Sequence, residues 1–235
     1  MDGMEQIKVI VTGYDRYQGV DVNPSYLVPQ ALADRGVGGL NRGGTRLEDP
    51  LLGVDLDITA VTLPVSFAKA WPILHQAIER VEPDLVISTG LKRHARGISM
   101  ERCAVNVKAV GDDRARQEGS GHGLTEPVDP DGPAAYWTRL PLRAILQEFG
   151  HCGIPATLSS DAGTYVCNAL FYNLLGWATK HPEVLAGFVS LPLANENDRQ
   201  GLGLPIEQQI RAVQEVVRET VRYYRQPSSS PILIA

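Results

Sequence analysis

The 235-residue chain has only three cysteines, too few and the wrong parity for a disulfide framework. That usage points to a reducing compartment. Positive charge is not in excess: 22 Lys and Arg against 27 Asp and Glu give a net charge of −5 and a pI near 5.6. Nucleic-acid-binding domains are normally basic, so nucleic acid is not expected as a partner. No apolar run approaches the roughly 18 residues of a membrane span, so no membrane partner is expected either. Met1-Asp2-Gly3-Met4-Glu5 lacks the basic and apolar regions of a signal peptide, and the expected location is cytoplasmic. His75, His94, His122, His151 and His181 are scattered, and no Cys-x-x-Cys occurs, so no metal centre is expected. The glycine clusters Gly36-Val37-Gly38-Gly39 and Gly43-Gly44 neither follow a strand nor open a helix, which argues against a phosphate loop.

What remains is enough chain, 43% apolar and 21% charged, to bury one sizeable core. Residues 1–235 are read as one domain, with a frayed tail after about residue 227. Ile7 to Val11 reads as a buried strand ending at Thr12-Gly13. Asn23-Pro24-Ser25 opens a helix that Gly36 stops. Strands are expected at Leu56 to Leu63, Asp84 to Ser88, Cys103 to Val107, Ala156 to Ser159 and Gly187 to Leu191. Helices are expected from Ser66, as N-cap, to Val81, then at Pro141 to Phe149, from near Tyr165, and at Pro205 to Tyr224. The last carries Ile206, Ile210, Val213, Val217 and Val221 on one face. Residues 111–133, rich in glycine, proline and charge, read as a long surface loop. Strands alternating with helices imply an α/β protein with a mostly parallel sheet.

One thiol stands apart. In Ser159-Ser160-Asp161-Ala162-Gly163-Thr164-Tyr165-Val166-Cys167-Asn168 a strand ends, a turn of small residues follows, and Cys167 falls at a helix start. Free N–H groups there favour a thiolate. Sites in open α/β sheets lie at the carboxyl ends of strands. Cys103 and Cys152 are read as packing residues, because free cysteine is among the most buried residue types. A nucleophilic cysteine needs a base and a group to orient that base. Glu101 could orient an imidazole, although its spacing favours a surface ion pair with Arg102.

These segments resemble the pyroglutamyl peptidase I (pyrrolidone-carboxylate peptidase) family of cysteine peptidases. The family's Phe-Asp-Pro-Phe-Gly-Gly loop is matched loosely by Tyr14-Asp15-Arg16-Tyr17-Gln18-Gly19, followed by Asn23-Pro24-Ser25. Its Glu-Arg-Val-Ala-x-Asn segment is matched by Glu101-Arg102-Cys103-Ala104-Val105-Asn106. Gly132-Pro133-Ala134-Ala135-Tyr136-Trp137-Thr138, Leu140-Pro141 and Ala162-Gly163-Thr164-Tyr165-Val166-Cys167-Asn168 match nearly verbatim, and the order holds over residues 7 to 225. The resemblance implies a three-layer α/β/α sandwich, removal of N-terminal pyroglutamate from peptides, and no metal or organic cofactor. It places Cys167 on the nucleophile and Glu101 on the carboxylate. It also implies substrate-binding roles for Tyr14, Tyr17, Asn23, Leu91, Tyr165 and Val166, and makes a homo-oligomer a reasonable expectation.

The family's catalytic histidine is replaced. Its Gly-Phe-Ile-His-x-Pro strand reads Gly187-Phe188-Val189-Ser190-Leu191-Pro192, which puts Ser190 at the base position. A hydroxyl cannot take a thiol proton near neutral pH as an imidazole can. The lactam-recognising Gln of the family's Gly-Gln-Ala-Gly-Gly-Arg turn becomes Leu91 in Gly90-Leu91-Lys92-Arg93-His94-Ala95. Arg114 is the candidate for a further family arginine. Two readings follow. Either the chain is a cysteine hydrolase of a peptide or small amide or lactam, with His94 as a substitute base, or it is an impaired member acting as a binding protein. A ring-opening or acyl-transfer enzyme on a lactam-like substrate is not separable from the first.

Overall fold

The computed structural model describes residues 4–15, 20–38, 49–110, 124–195 and 203–228. Tyr17, Arg114, most of the loop expected at 111–133 and the end of the tail lie outside these residues. In chain order the elements are β1 (Glu5–Tyr14), α1 (Pro24–Arg35), β2 (Val54–Leu63), α2 (Ala70–Val81), β3 (Leu85–Leu91), β4 (Ile98–Glu101), β5 (Cys103–Val105), β6 (Lys108–Ala109), β7 (Thr125–Glu126) and β8 (Ala135–Trp137). They continue with α3 (Leu142–Cys152), β9 (Ala156–Ser159), α4 (Val166–Ala178), β10 (Leu185–Leu191) and α5 (Ile206–Arg225).

A six-stranded sheet runs β2-β1-β3-β10-β4-β9. Strands β2, β1, β3 and β10 are parallel, and β4 runs antiparallel to β10 with β9 parallel to it. Every residue of β10 is buried, and all of β3 but Leu91. Strands covered on both faces read as continuous apolar runs. The two covers follow from alternation along β1. Ile7, Val9 and Val11 join the core under α1, α3 and α5, while Ile10 joins the core under α2 and α4. The architecture is the expected three-layer α/β/α arrangement.

Local chemistry sets the helix ends. The Asn23 side chain caps α1, accepting from the Ser25 backbone N–H at 3.1 Å, and Pro24 takes the first helical position. Gly36 ends it with φ +68°, a conformation suited to glycine. The helix expected from Ser66 begins instead at Ala70. Ser66 sits in a turn one step earlier, its carbonyl accepting from Ala70 N–H at 3.0 Å, and no side chain caps α2. The four-residue strand β4 was not apparent in the sequence.

Candidate active site

Cys167 is the second residue of α4, at the end of the sheet where β1, β3 and β10 finish. No side chain caps that helix, so the N–H groups of its first turn are left to the site. Asn168 fixes where the helix starts. Fully buried, it accepts from Val105 N–H at 3.0 Å and donates to the Val105 and Val107 carbonyls, each at 2.8 Å. These bonds anchor the helix carrying Cys167 to β5.

Gly90, near the end of β3, lies flush against the sulfur. A Cβ there would stand 2.8 Å from Cys167 Sγ and 2.7 Å from Phe188 Cζ. Gly90 is in register with Ser190 on β10, and Ser190 with Ser99 on β4. Side chains in register project to one face. Ser190 therefore faces the same layer as Cys167, and Glu101, two residues beyond Ser99, shares that face.

Glu101 is fully buried. The expected surface ion pair with Arg102 does not form, because neighbours along a strand point to opposite faces. Arg102 instead donates from Nε to Ser160 Oγ at 2.9 Å and lies over the Trp137 ring. The cation that reaches Glu101 is Lys92. Its Nζ donates to Glu101 Oε1 at 3.1 Å, to Ser159 Oγ at 3.0 Å and to the Asp161 carbonyl at 2.6 Å. Ser190 Oγ donates to the same Oε1 at 2.7 Å. Glu101 Oε2 is buried with no hydrogen-bond partner among the described residues. All three Lys92 donors are committed, and the carboxylate is neutralised where the resemblance implied an imidazole.

His94 is exposed in the turn after β3 and does not line the cavity at Cys167. The cavity, of about 130 Å³, is bounded by Tyr14, Asn23, Ser25, Val65, Leu91, Arg93, Tyr165, Val166 and Cys167. Five of the six residues expected to bind substrate thus line this cavity, and the sixth, Tyr17, lies outside the described residues. Asn23 contributes shape, because its hydrogen-bonding capacity is already used. Its Nδ2 donates to the Tyr14 and Asp15 carbonyls at 3.2 and 2.9 Å, and its Oδ1 accepts from Ser25 N and Oγ. Tyr165 packs edge-on against Phe67 with ring centroids 5.3 Å apart.

The electrostatics disfavour a thiolate. Burial pushes the Cys167 thiol from near 9 up to about 12, the Tyr14 phenol pulls it down, the Glu101 charge pushes it up, and its own backbone N–H pulls it down. The other thiols follow the packing expectation: Cys103 is buried, and Cys152 donates to Glu148 Oε1 at 3.2 Å.

Comparison with known proteins completes the picture. The sequence model for the pyroglutamyl peptidase family matches residues 7–223. The chain belongs to the pyroglutamyl peptidase family. It is similar to the pyrrolidone-carboxylate peptidase of Bacillus subtilis, at 33% identity over 95% of this chain and 96% of that one. The Yersinia pestis protein of the same name is 35% identical over 84% of each chain. Among solved structures, pyroglutamyl peptidase I of Bacillus amyloliquefaciens superimposes with a TM-score of 0.76 at 31% identity, covering 93% of this chain and 98% of that one. The pyrrolidone carboxyl peptidase of Thermococcus litoralis gives 0.78 at 26%, covering 97% and 99%. No described helix is long and apolar enough to cross a membrane.

Four residues at or beside this cavity were given no role by the sequence pattern. Asn168 and Gly90 were quoted within motifs without a role. Lys92 and Arg93 sat in a basic run that reads as solvated. The signal for Lys92 was available: a carboxylate that is buried is ordinarily paired with a cation or hydrogen-bonded.

Proposed function

We propose that this protein is a cysteine hydrolase of the pyroglutamyl-peptidase type, acting through Cys167 on the N-terminal pyroglutamyl group of a peptide or on a related small amide or lactam. The observation that carries this is the position of Cys167. It lies on the wall of a cavity, at the uncapped start of α4, with Gly90 flush against the sulfur. In the chemistry this arrangement supports, the thiol gives its proton to hydroxide and the thiolate adds to the carbonyl carbon. The first-turn N–H groups of α4 favour the developing oxyanion. The amine leaves with a proton from water, and water then hydrolyses the thioester.

A second reading, a binding protein with little turnover, is favoured by Lys92 and Ser190 on Glu101. That pairing occupies the carboxylate, no histidine lines the cavity among the described residues, and burial holds the thiol un-ionised near neutrality. Both readings keep the cavity for a ligand that presents an amide or lactam. A chromogenic pyroglutamyl amide assayed with wild type and Cys167→Ala separates them. Hydrolysis by wild type that climbs with pH and vanishes in Cys167→Ala supports the hydrolase. Equal background rates for both, with the amide still bound, support the binding protein.

A further inference from the structure

Tyr14, the last residue of β1, lines the same cavity as Cys167 and is 4% exposed. Its hydroxyl is buried and has no hydrogen-bond partner of good geometry among the described residues. The neighbouring polar side chains do not partner it, since Asn23 and Ser25 are bonded to each other and Asn23 also to the backbone of residues 14 and 15.

The hydroxyl does lie close enough to the Cys167 thiol for each to act on the other. The sulfur helps hold the phenol well above its ordinary value, after burial, and the phenol opposes the rise of the thiol. The remaining charged or titratable groups around the sulfur come from three directions. Glu101 on β4 opposes a thiolate. Lys92, after β3, is directed at Glu101, and Arg93 and Tyr165 sit on the cavity wall. Gly90 and Phe188 touch the sulfur region without charge.

We propose that the Tyr14 phenol is the hydrogen-bond donor that receives the Cys167 thiolate, supplying part of the stabilisation that a cationic base would otherwise give. When hydroxide removes the S–H proton, forming water, the phenol keeps its own proton and turns its O–H onto the sulfur anion. The phenol is suited to this because burial favours its un-ionised form, which keeps the O–H as a donor. Tyr14 is thus a positioning residue for the nucleophile. The inference rests on Cys167 being the group that reacts, but its test needs no substrate.

The test is the second-order rate of Cys167 with an uncharged aromatic disulfide, such as dithiodipyridine, followed from pH 7 to 10 in wild type and Tyr14→Phe. A hydrogen bond to a charged group is worth about tenfold or more in ionisation. The higher intrinsic reactivity of a more basic thiolate returns about half of that on a logarithmic scale. The expected result is a rate about 3- to 10-fold lower at each pH in Tyr14→Phe. Cys103 should be unchanged in the same samples, and the melting temperature should stay close to that of the wild type. An unchanged or faster Cys167 rate, or a lower melting temperature accompanied by slowing at Cys103, would overturn the proposal. Failure of the pyroglutamyl reporter alone would overturn the hydrolase reading and leave this one standing.

Discussion

Replacing Lys92 by methionine isolates the cation that pairs with the buried Glu101 carboxylate. The substitution keeps the length and apolar stem of the side chain while deleting three donors. Glu101 would keep only the Ser190 hydroxyl, and its buried Oε2 would remain unpartnered. Removing one member of a fully buried ion pair costs roughly 3–5 kcal/mol, because the other charge is left without compensation. Here the lysine side chain is 34% exposed and the glutamate side chain 0%. Solvent screening on the lysine side brings the expected loss to about 2–3 kcal/mol. For a chain of this size each kcal/mol moves the melting temperature by about 2–4 °C, so a fall of about 4–12 °C is expected. The measurement is a double-mutant cycle by thermal and urea unfolding with Lys92→Met, Glu101→Gln and both together. Glu101→Gln removes the charge that Lys92 neutralises, so the double variant should be more stable than the sum of the single losses predicts, by at least about 1 kcal/mol. Additive losses, or a Lys92→Met loss within about 0.5 kcal/mol, would refute the view that this lysine compensates Glu101.

Other expectations follow from the same geometry. Cys167 should react slowly with disulfide probes near neutrality and show a rate that climbs steadily to pH 10, as its position near 12 requires, whereas a plateau by pH 8 would contradict it. Because its folded value is raised above the unfolded one, the native state holds the thiol proton more tightly. Its contribution to stability is full below about pH 9 and is lost as pH rises toward 12, so the alkaline fall in urea midpoint should be shallower in Cys167→Ala. Ser190→His restores an imidazole on the face shared by Gly90 and Glu101. It should raise pyroglutamyl reporter hydrolysis by about 100-fold or more, and an unchanged rate would show that an imidazole at this position does not serve the thiol. Gly90→Ala should cost about 1–3 kcal/mol in urea unfolding, since its Cβ would meet both Cys167 Sγ and Phe188. A neutral substitution there would show that the sulfur can move aside.

How much of this was legible in the sequence depended on whether a feature was local. The start of α1 was, because Asn23 and Pro24 act within one turn of where they stand. So was the core face of α5, where Ile210, Val213, Val217 and Val221 repeat at helical spacing. Cys167 was legible for a similar reason: a strand, a small-residue turn and a helix start lie within ten residues of one another. Glu101 was only half legible. The segment Ile98-Ser99-Met100-Glu101 is too short to announce a strand, and a charged residue beside an arginine invites a surface pair. What settles the matter is strand pairing with β10 and β9, which comes from residues more than fifty positions away. Lys92 was least legible. In Lys92-Arg93-His94-Ala95-Arg96 four of five side chains can carry charge, and such a run ordinarily faces water. The backbone N–H of Lys92 still donates to the Leu191 carbonyl at 2.8 Å, so the residue leaves the sheet one step later than the run suggests. That step turns its ammonium toward Glu101 while His94 is carried outward. Ser190 and Lys92 therefore act on one carboxylate, although 98 positions of sequence separate them. The surroundings of Glu101 are set by that pair as a unit rather than by Ser190 alone.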